Sequence, residues 1–504
     1  MSEHVEVGEH GLYVSPASTD TGLNKEIRWW DGIVITACMP GFLLPSIGFS
    51  VALLGGWGAV AVWIGIVTFG FLMANLYAEM ASMFPHRAGG IATYIDEGVH
   101  KISRIPAVIS GYGYWFGYST VLSINGILVG SYIQAAWLTS AHVMVRGVDV
   151  FAPLVGSVML VLVWAVAIAG IKPTVWMTYA LGALTMLPLV LVAIVPWVTG
   201  HMHLSYLNNS NFPGANGGSG ASFFSFAGLG VFFAMWYLGG WSAYAVESAA
   251  AFTPEYKHPE TETPKALRWA GLIQILIFGL VPLALVGTVG QAVIVGAPYT
   301  AFVPVLQVLF GSFGSAIVLI MLLSALVLSA LIATADGGRA LFQLARDGLT
   351  LRWLNHLNPQ KVPDHGMTWD LLIQGVMMWF PYVAGFVGFT TLVTNAPIVI
   401  LAVSNLGYIL CHVGAIAAFI ILRRQQPQLT RPFKLSSYWL PIAYVLLVFN
   451  IIIIPIGAAD KDLGYGLVPF ILGVALLLIS VVLYWVRKNV EDPREARAAS
   501  GAKA

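Results

Sequence analysis

Gly32-Ile-Val-Ile-Thr-Ala-Cys-Met-Pro-Gly-Phe-Leu-Leu-Pro-Ser-Ile-Gly-Phe-Ser-Val-Ala-Leu-Leu-Gly55 is long and apolar enough to cross a bilayer, yet Pro40-Gly41 stands near its middle. Proline has no amide hydrogen and breaks the helix that would enclose it. At bilayer depth the freed backbone groups find no partner in lipid, so they must face protein, water or a solute. The sixth apolar segment carries Gly239-Gly240 inside Met235-Trp-Tyr-Leu-Gly-Gly-Trp-Ser-Ala-Tyr244. Interrupted spans at corresponding positions of two five-span halves predict a membrane protein that moves a solute past a site at the bilayer midplane.

Composition agrees with a polytopic membrane protein. Of 504 residues, 58% are hydrophobic and only 9% charged, where a soluble domain is nearer 25% charged. A net charge of +1 offers no electrostatic footprint for nucleic acid, so none is expected as a partner. Cys38 and Cys411 both fall in apolar segments, which argues against a structural disulfide. Residues 1–24 are polar and acidic and do not read as a signal peptide, so the first span is expected to serve as the insertion signal.

About twenty apolar residues cross a bilayer. By that measure twelve spans are expected, at roughly 32–55, 56–84, 105–139, 152–170, 175–199, 222–252, 267–294, 310–338, 368–388, 391–422, 438–458 and 464–486. The third, sixth and tenth are long and must tilt or extend into solvent. This placement puts 22 of the lysines and arginines on the side of both termini and only Arg146 and Lys461 on the other. The positive-inside rule then places the termini in the cytoplasm and the protein in the inner or plasma membrane. Trp29, Trp30, Trp439 and Trp485 lie near span ends as interfacial anchors. One transmembrane domain, 25–490, is expected between polar arms at 1–24 and 491–504 that bury too little apolar surface to order. The Gly/Asn-rich loop 200–221 reads as a mobile linker. Segment 295–309 is too apolar for a free loop and too short for a span, and reads as a lid.

Four stretches on one side of the chain resemble a known family. Leu76-Tyr-Ala-Glu-Met-Ala-Ser-Met-Phe-Pro-His-Arg-Ala-Gly-Gly-Ile-Ala-Thr-Tyr94 ends span 2. Glu255-Tyr-Lys-His-Pro-Glu-Thr-Glu-Thr-Pro-Lys-Ala-Leu267 follows span 6. Arg339-Ala-Leu-Phe-Gln-Leu-Ala-Arg-Asp-Gly-Leu349 follows span 8, and Leu422-Arg-Arg-Gln-Gln-Pro-Gln-Leu-Thr-Arg-Pro-Phe-Lys434 follows span 10. Together they resemble the amino acid–polyamine–organocation (APC) permeases over roughly 28–490. The resemblance implies an all-α, LeuT-like fold of 12 transmembrane helices. Five helices (about 32–199) are repeated in inverted topology by the next five (about 222–422), and two extra helices lie at 438–486. It also implies alternating access for an amino acid or amine, with helices 1 and 6 discontinuous and helices 3, 8 and 10 completing the pocket. On that reading the half-helix after the first break offers free N–H groups and a positive dipole end to a carboxylate. The carbonyls freed in span 6 suit an ammonium.

The sequence departs from the family pattern in four places. Cys38-Met39-Pro40 stands where Gly-Ser-Gly is usual, which removes one N–H donor and adds bulk. Span 5 carries no lysine of the kind that fills a cation site in some sodium-independent members, and Thr185 lies near that position. The segment from the span 6 break to Glu255 reads one helical turn long. Trp236, Tyr237 and Trp241 crowd the same break.

Candidate substrate-binding residues are therefore Cys38, Met39, Pro40, Gly41 and Phe42 in span 1, Gly117 and Tyr118 in span 3, and Trp236, Tyr237, Leu238, Gly239, Gly240 and Trp241 in span 6. The aromatic residues can stack on a substrate or its cation, or simply pack the bundle. Gly117 with Ser119 equally suits close helix packing. Glu247 is an acid within span 6, and an acid at depth needs a partner or a proton. Asp336 and Arg339, three apart in span 8, share a helix face and read as an ion pair or inner gate. Glu79 reads as a brace of that gate. Ser329, Thr334 and Thr185 offer hard oxygens to sodium, or serve as ordinary membrane serine and threonine. His412, near mid-membrane, has the titration range for proton coupling but also suits a hydrogen-bonded structural role. Asn125 and Asn405 are weaker polar candidates of the same kind. No metal centre or cofactor is expected, and the coupling ion stays open between proton and sodium. Catalytic motifs such as His-Glu-x-x-His, the Walker loop and Gly-x-Ser-x-Gly are absent from the sequence, so no enzyme is expected.

The expected function is secondary active transport of an amino acid, neutral and bulky or aromatic. That preference rests on the aromatic pocket edge and on the absence of an acid beside the break. An amine or polyamine lacking the carboxylate is the alternative, and Pro40 favours it. A transporter-derived membrane sensor is the alternative from another class.

Overall fold

The computed structural model describes residues 21–208, 225–296, 298, 301–394, 396–459 and 466–493. The arm 1–20, loop 209–224, Lys461 and tail 494–504 lie outside them. The described chain is helical apart from one short hairpin, β1 (Met144–Val145) with β2 (Val148–Asp149). The first half of the chain runs α1 (Trp29–Ile35), α2 (Pro40–Met83), α3 (Ile91–Val99), α4 (Ile105–Ser119), α5 (Val121–Ala136), then, after the hairpin, α6 (Phe151–Ile168) and α7 (Ile171–Val198). The second half runs α8 (Phe226–Ala243), α9 (Ser248–Ala251), α10 (Pro259–Val289), α11 (Gln291–Gly296), α12 (Phe302–Arg346), α13 (Asp364–Gly385), α14 (Thr390–Thr394) and α15 (Ala396–Gln425). Last come α16 (Trp439–Ala459) and α17 (Leu467–Val486).

Among the described residues, ten helices are long and apolar enough to cross a membrane. The other two expected spans take different forms. Span 1 is divided among α1, a 3-10 turn at Thr36–Cys38 and the start of α2. Span 9 is α13, 22 residues with Asp364 and Asp370 inside it. The 44-residue α2 kinks at Gly55, whose φ of 70° is open to glycine and strained for other residues. The kink falls at the expected boundary between spans 1 and 2. A second glycine kink, Gly311 at φ 68°, sets residues 302–310 apart from span 8, so the segment read as a lid is a short helix.

Span 6 differs from expectation. Helix α8 runs unbroken through Gly239-Gly240 and ends at Ala243. The interruption follows one turn later, at a bend on Tyr244 and a 3-10 turn over Ala245–Glu247. The glycines serve packing instead. A Cβ on Gly239 would stand 2.5 Å from Ile66 Cδ1, so the small residue lets span 2 close on span 6.

Burial separates the bundle's centre from its rim. The apolar window of span 3 is 83% buried and those of spans 6, 8 and 10 are each 72%, against 39% for spans 4 and 5 and 17% for span 12. Helices α4 and α15 approach through paired glycines. A Cβ on Gly407 would lie 2.8 Å from Gly113 Cα, and one on Gly113 would lie 2.7 Å from Gly407 O. Gly407→Ala is expected to cost about 1–3 kcal/mol by overpacking, read as a lower melting midpoint of the purified protein. An unchanged midpoint would mean that the two helices stand further apart.

The end of the bundle rich in arginine is held by buried ion pairs. Glu79 takes hydrogen bonds from Arg423, from Arg431 Nε at 3.1 Å and from the Leu435 amide at 2.8 Å, tying span 2 to the segment after span 10. Arg87 pairs with Glu97 and Asp347. Burial pushes the Asp347 carboxyl above the ordinary carboxylate range, against the opposing pull of Arg87. Residues 21–24, expected within a disordered arm, are packed here. Leu23 and Thr21 are buried, and the Thr21 carbonyl accepts from Arg346 Nη1 at 2.9 Å. The strap continues to Glu26 and Ile27, whose amides both donate to the Glu255 carbonyl.

Candidate functional site

The break in span 1 is tight. Met39 N closes the 3-10 turn on Thr36 O at 3.1 Å, and Gln274 Nε2 of α10 donates to the same carbonyl at 3.1 Å. A freed backbone acceptor is thus met by protein rather than lipid. Pro40 opens α2, at the position where a missing N–H costs least. Cys38 and Met39 are buried. The side chains of Pro40 and Phe42 lie outside the described residues, and Gly41 is in the first turn of α2. Cys38 Sγ and the Tyr118 hydroxyl are 3.7 Å apart, which joins the break to span 3.

Two buried acids and three tyrosines gather between the breaks. Glu247, on the 3-10 turn of span 6, accepts from the Tyr408 hydroxyl at 2.5 Å. Asp336 of α12 accepts from the Tyr114 hydroxyl at 2.7 Å. Tyr114 stacks on Tyr118 at 5.7 Å and on Tyr408 at 6.2 Å, ring centre to ring centre. Glu247 and Asp336 are fully buried, and among the described residues Glu247 Oε2 and Asp336 Oδ1 have no hydrogen-bond partner. A buried carboxylate oxygen without a donor is costly. An acid, Glu247, thus sits on the span 6 interruption itself.

Arg339 does not pair with Asp336. Its Nε and Nη2 grip the Glu255 carboxylate, with Nη2–Oε2 at 2.9 Å, and Nη1 donates to the Ala335 carbonyl at 2.7 Å. Both side chains of that pair are 1% exposed. A fully buried guanidinium needs a bidentate acceptor, and Glu255 supplies one where Asp336 already serves Tyr114.

The span 6 aromatics separate. Trp241 Nε1 donates to the Gly117 carbonyl at 2.8 Å, between the two central helices. Trp236 instead packs against Phe69 and Phe449 at 5.0 and 4.9 Å, and its Nε1 donates to the Tyr244 hydroxyl at 2.9 Å. Tyr237 lies against Gly457 of α16, and Leu238 is buried. Gly117 also lets Tyr408 approach, since a Cβ there would meet Tyr408 Cβ at 2.6 Å. Gly240 lies beside Ile409 and Tyr244.

His412 Nδ1 shares a 2.7 Å hydrogen bond with the Tyr77 hydroxyl, and Tyr408 meets the ring edge-on at 4.7 Å. The hydroxyls of Thr185, Ser329 and Thr334 donate to carbonyls of their own helices, Leu181, Ala325 and Ala330. Ser329 also accepts from Asn125 Nδ2 at 2.7 Å. Asn405 Nδ2 donates to the Tyr237 carbonyl at 2.8 Å. Among these polar residues, Tyr114, Tyr408, Gln274 and Asp370 escaped the sequence reading. Asp370 accepts from Trp115 Nε1 at 3.1 Å. Tyr114 and Tyr118, and likewise Tyr408 and His412, are four residues apart and share a helix face, a signal open to inspection. Gln274 carried no such signal.

These features, long apolar helices around a buried polar cluster at two helix breaks, define a membrane permease. The family model described as "Amino acid permease" matches residues 27–483, and the chain belongs to that family, within the APC superfamily. It is similar to the branched-chain amino acid permease BcaP of Bacillus subtilis, 24% identical over 463 residues that cover 87% of this chain and 89% of that one. It is also similar to uncharacterised transporters of Mycobacterium bovis and Mycobacterium tuberculosis, each 23% identical over 411 residues and 78% of either chain.

Proposed function

We propose that this integral membrane protein is a secondary active transporter that moves an amino acid by alternating access, and that the acid–tyrosine cluster holds the substrate's amino group. One observation carries the reading: Glu247, at the break of span 6, keeps one carboxylate oxygen without a donor among the described residues, beside Tyr408. An ammonium supplies N–H donors and a compensating charge there. Membership of the amino acid permeases and the likeness to a branched-chain amino acid permease support an amino acid as cargo. Twelve spans in two inverted halves, with both termini in the cytoplasm of the plasma membrane, suit the charge asymmetry and the split first and sixth spans.

A second reading keeps the amine and drops the carboxylate. Asp336 offers a second acid near the first, and Pro40 withholds one backbone donor at the start of α2. Both favour an amine or a polyamine. Uptake into proteoliposomes tests the whole proposal and divides the two readings. Flux of neutral amino acids is expected, and competition by their decarboxylated amines measures the need for the carboxylate. No flux under any gradient would overturn the transporter reading in favour of a sensor. Repeating uptake without sodium, and again with the proton gradient collapsed, assigns the coupling ion.

A further inference from the structure

Two crevices lie along the outer flank of span 1 and meet at Tyr179. One, of about 360 Å³, is apolar, with Val34, Ala37, Gly182, Met186 and Ile273 among its walls. The other, of about 320 Å³, lies at the arginine-rich end and includes Glu26, Asp31, Lys172 and Trp176. Their α7 wall is one helical stripe, Lys172, Val175, Trp176, Tyr179, Gly182, Ala183 and Met186. From Lys172 to Met186 this stripe rises about 21 Å at 1.5 Å per residue. One leaflet of a hydrocarbon core about 30 Å thick is shorter than that, so the length suits one acyl chain with its headgroup.

The chemistry changes along the stripe. At the mouth, Lys172 Nζ lies 3.3 Å from Glu26, and Asp31 accepts from the Tyr179 hydroxyl at 2.6 Å. Two carboxylates and one ammonium complement a headgroup that carries an ammonium and a phosphate. Deeper in, Gly182 meets only ordinary contacts: a Cβ there would lie 3.7 Å from Ala37 and 3.8 Å from Val34. Helix packing does not demand glycine at 182, unlike at Gly117 or Gly407, and glycine within a helix is less stable than alanine. Its effect is to keep the crevice open. The crevice wall also includes Gln274, which is buried, donates to the Thr36 carbonyl and keeps Oε1 without a partner among the described residues.

We infer that these joined crevices are a binding site for a phospholipid with a primary-amine headgroup, its ammonium between Glu26 and Asp31, its phosphate at Lys172 and one acyl chain against Gly182. Such a lipid bears on the wall of the span 1 break, through the residues flanking Thr36. The site lies outside the acid–tyrosine cluster, and its test does not use transport.

Purified protein stripped of lipid is titrated with dioleoyl phosphatidylethanolamine, phosphatidylcholine or phosphatidylglycerol, with bound lipid read by native mass spectrometry. Phosphatidylethanolamine is expected to bind about tenfold more tightly than phosphatidylcholine, whose quaternary ammonium has no N–H to donate. Glu26→Gln with Asp31→Asn is expected to erase that difference, and Gly182→Leu to remove bound lipid of both kinds. Equal binding of the two lipids to the unaltered protein overturns the proposal, as does preference for phosphatidylglycerol. Survival of the preference in the carboxylate variant overturns it too. The comparison on the unaltered protein decides even where a variant fails to fold.

Discussion

Glu247→Gln is expected to reduce substrate affinity by roughly 30- to 1000-fold, the equivalent of about 2–4 kcal/mol for removing one partner of a buried charged contact. The measurement is binding by thermal shift or scintillation proximity, with initial uptake rates beside it. The side chain is fully buried on the span 6 turn, where it accepts from the Tyr408 hydroxyl at 2.5 Å. Glutamine keeps the size and can still accept from that hydroxyl, so folding is spared while the charge is lost. Tyr408→Phe provides the graded comparison. It leaves the charge and removes one hydrogen bond to it, worth about 1.5–3 kcal/mol. Wild-type affinity in Glu247→Gln would place the substrate amine elsewhere. Loss in Glu247→Gln with retention in Asp336→Asn would assign the amine to the first acid alone. Loss in both would favour a doubly charged cargo or a shared proton.

The second large effect concerns the arginine-rich end. Arg339→Ala is expected to destabilise the protein by about 3–5 kcal/mol, because Glu255 would stay buried as an unpaired charge. The loss is read as a fall of several degrees in melting midpoint. Arg339 also lies over the Phe252 ring at 4.2 Å, so its removal opens a packing defect as well. The double variant Arg339→Met with Glu255→Gln is expected to recover most of the loss, since the paired charges then leave together. Equal melting of the single and double variants would show that packing, rather than the unpaired charge, sets the cost. The pair joins several elements. Glu255 holds Arg339 of α12 with its carboxylate and the strap at Glu26 and Ile27 with its carbonyl. The span 1 half-helix starts two residues beyond Ile27, so the pair anchors its base to spans 6 and 8.

Part of this arrangement was open to reading in one dimension. Pro40 announces a break because its ring fixes φ and removes a donor wherever the chain goes. Gly55 stood at the expected junction of spans 1 and 2 because a turn between antiparallel spans requires residues free in φ. The four stretches at one edge of the bundle carried the family. Glu79 pairs with Arg423 and Arg431. Gly239-Gly240 misled, since a glycine pair marks a broken helix and a close helix contact with the same letters. Ile66 Cδ1, 2.5 Å from the Cβ that Gly239 lacks, is what distinguishes the two.

By itself the sequence determined that this chain is a helical membrane protein, that its first span is interrupted at Pro40, and which family it belongs to. Those features follow from hydropathy, backbone chemistry and local motifs, which act over a few residues. Only the tertiary structure decided that Glu247 meets Tyr408, that Asp336 meets Tyr114, that Arg339 turns away to Glu255, and that Trp241 rather than Trp236 reaches span 3. Periodicity says which residues share a face of one helix. It does not say which faces of different helices meet, and a buried polar group takes its role from the partner it finds there.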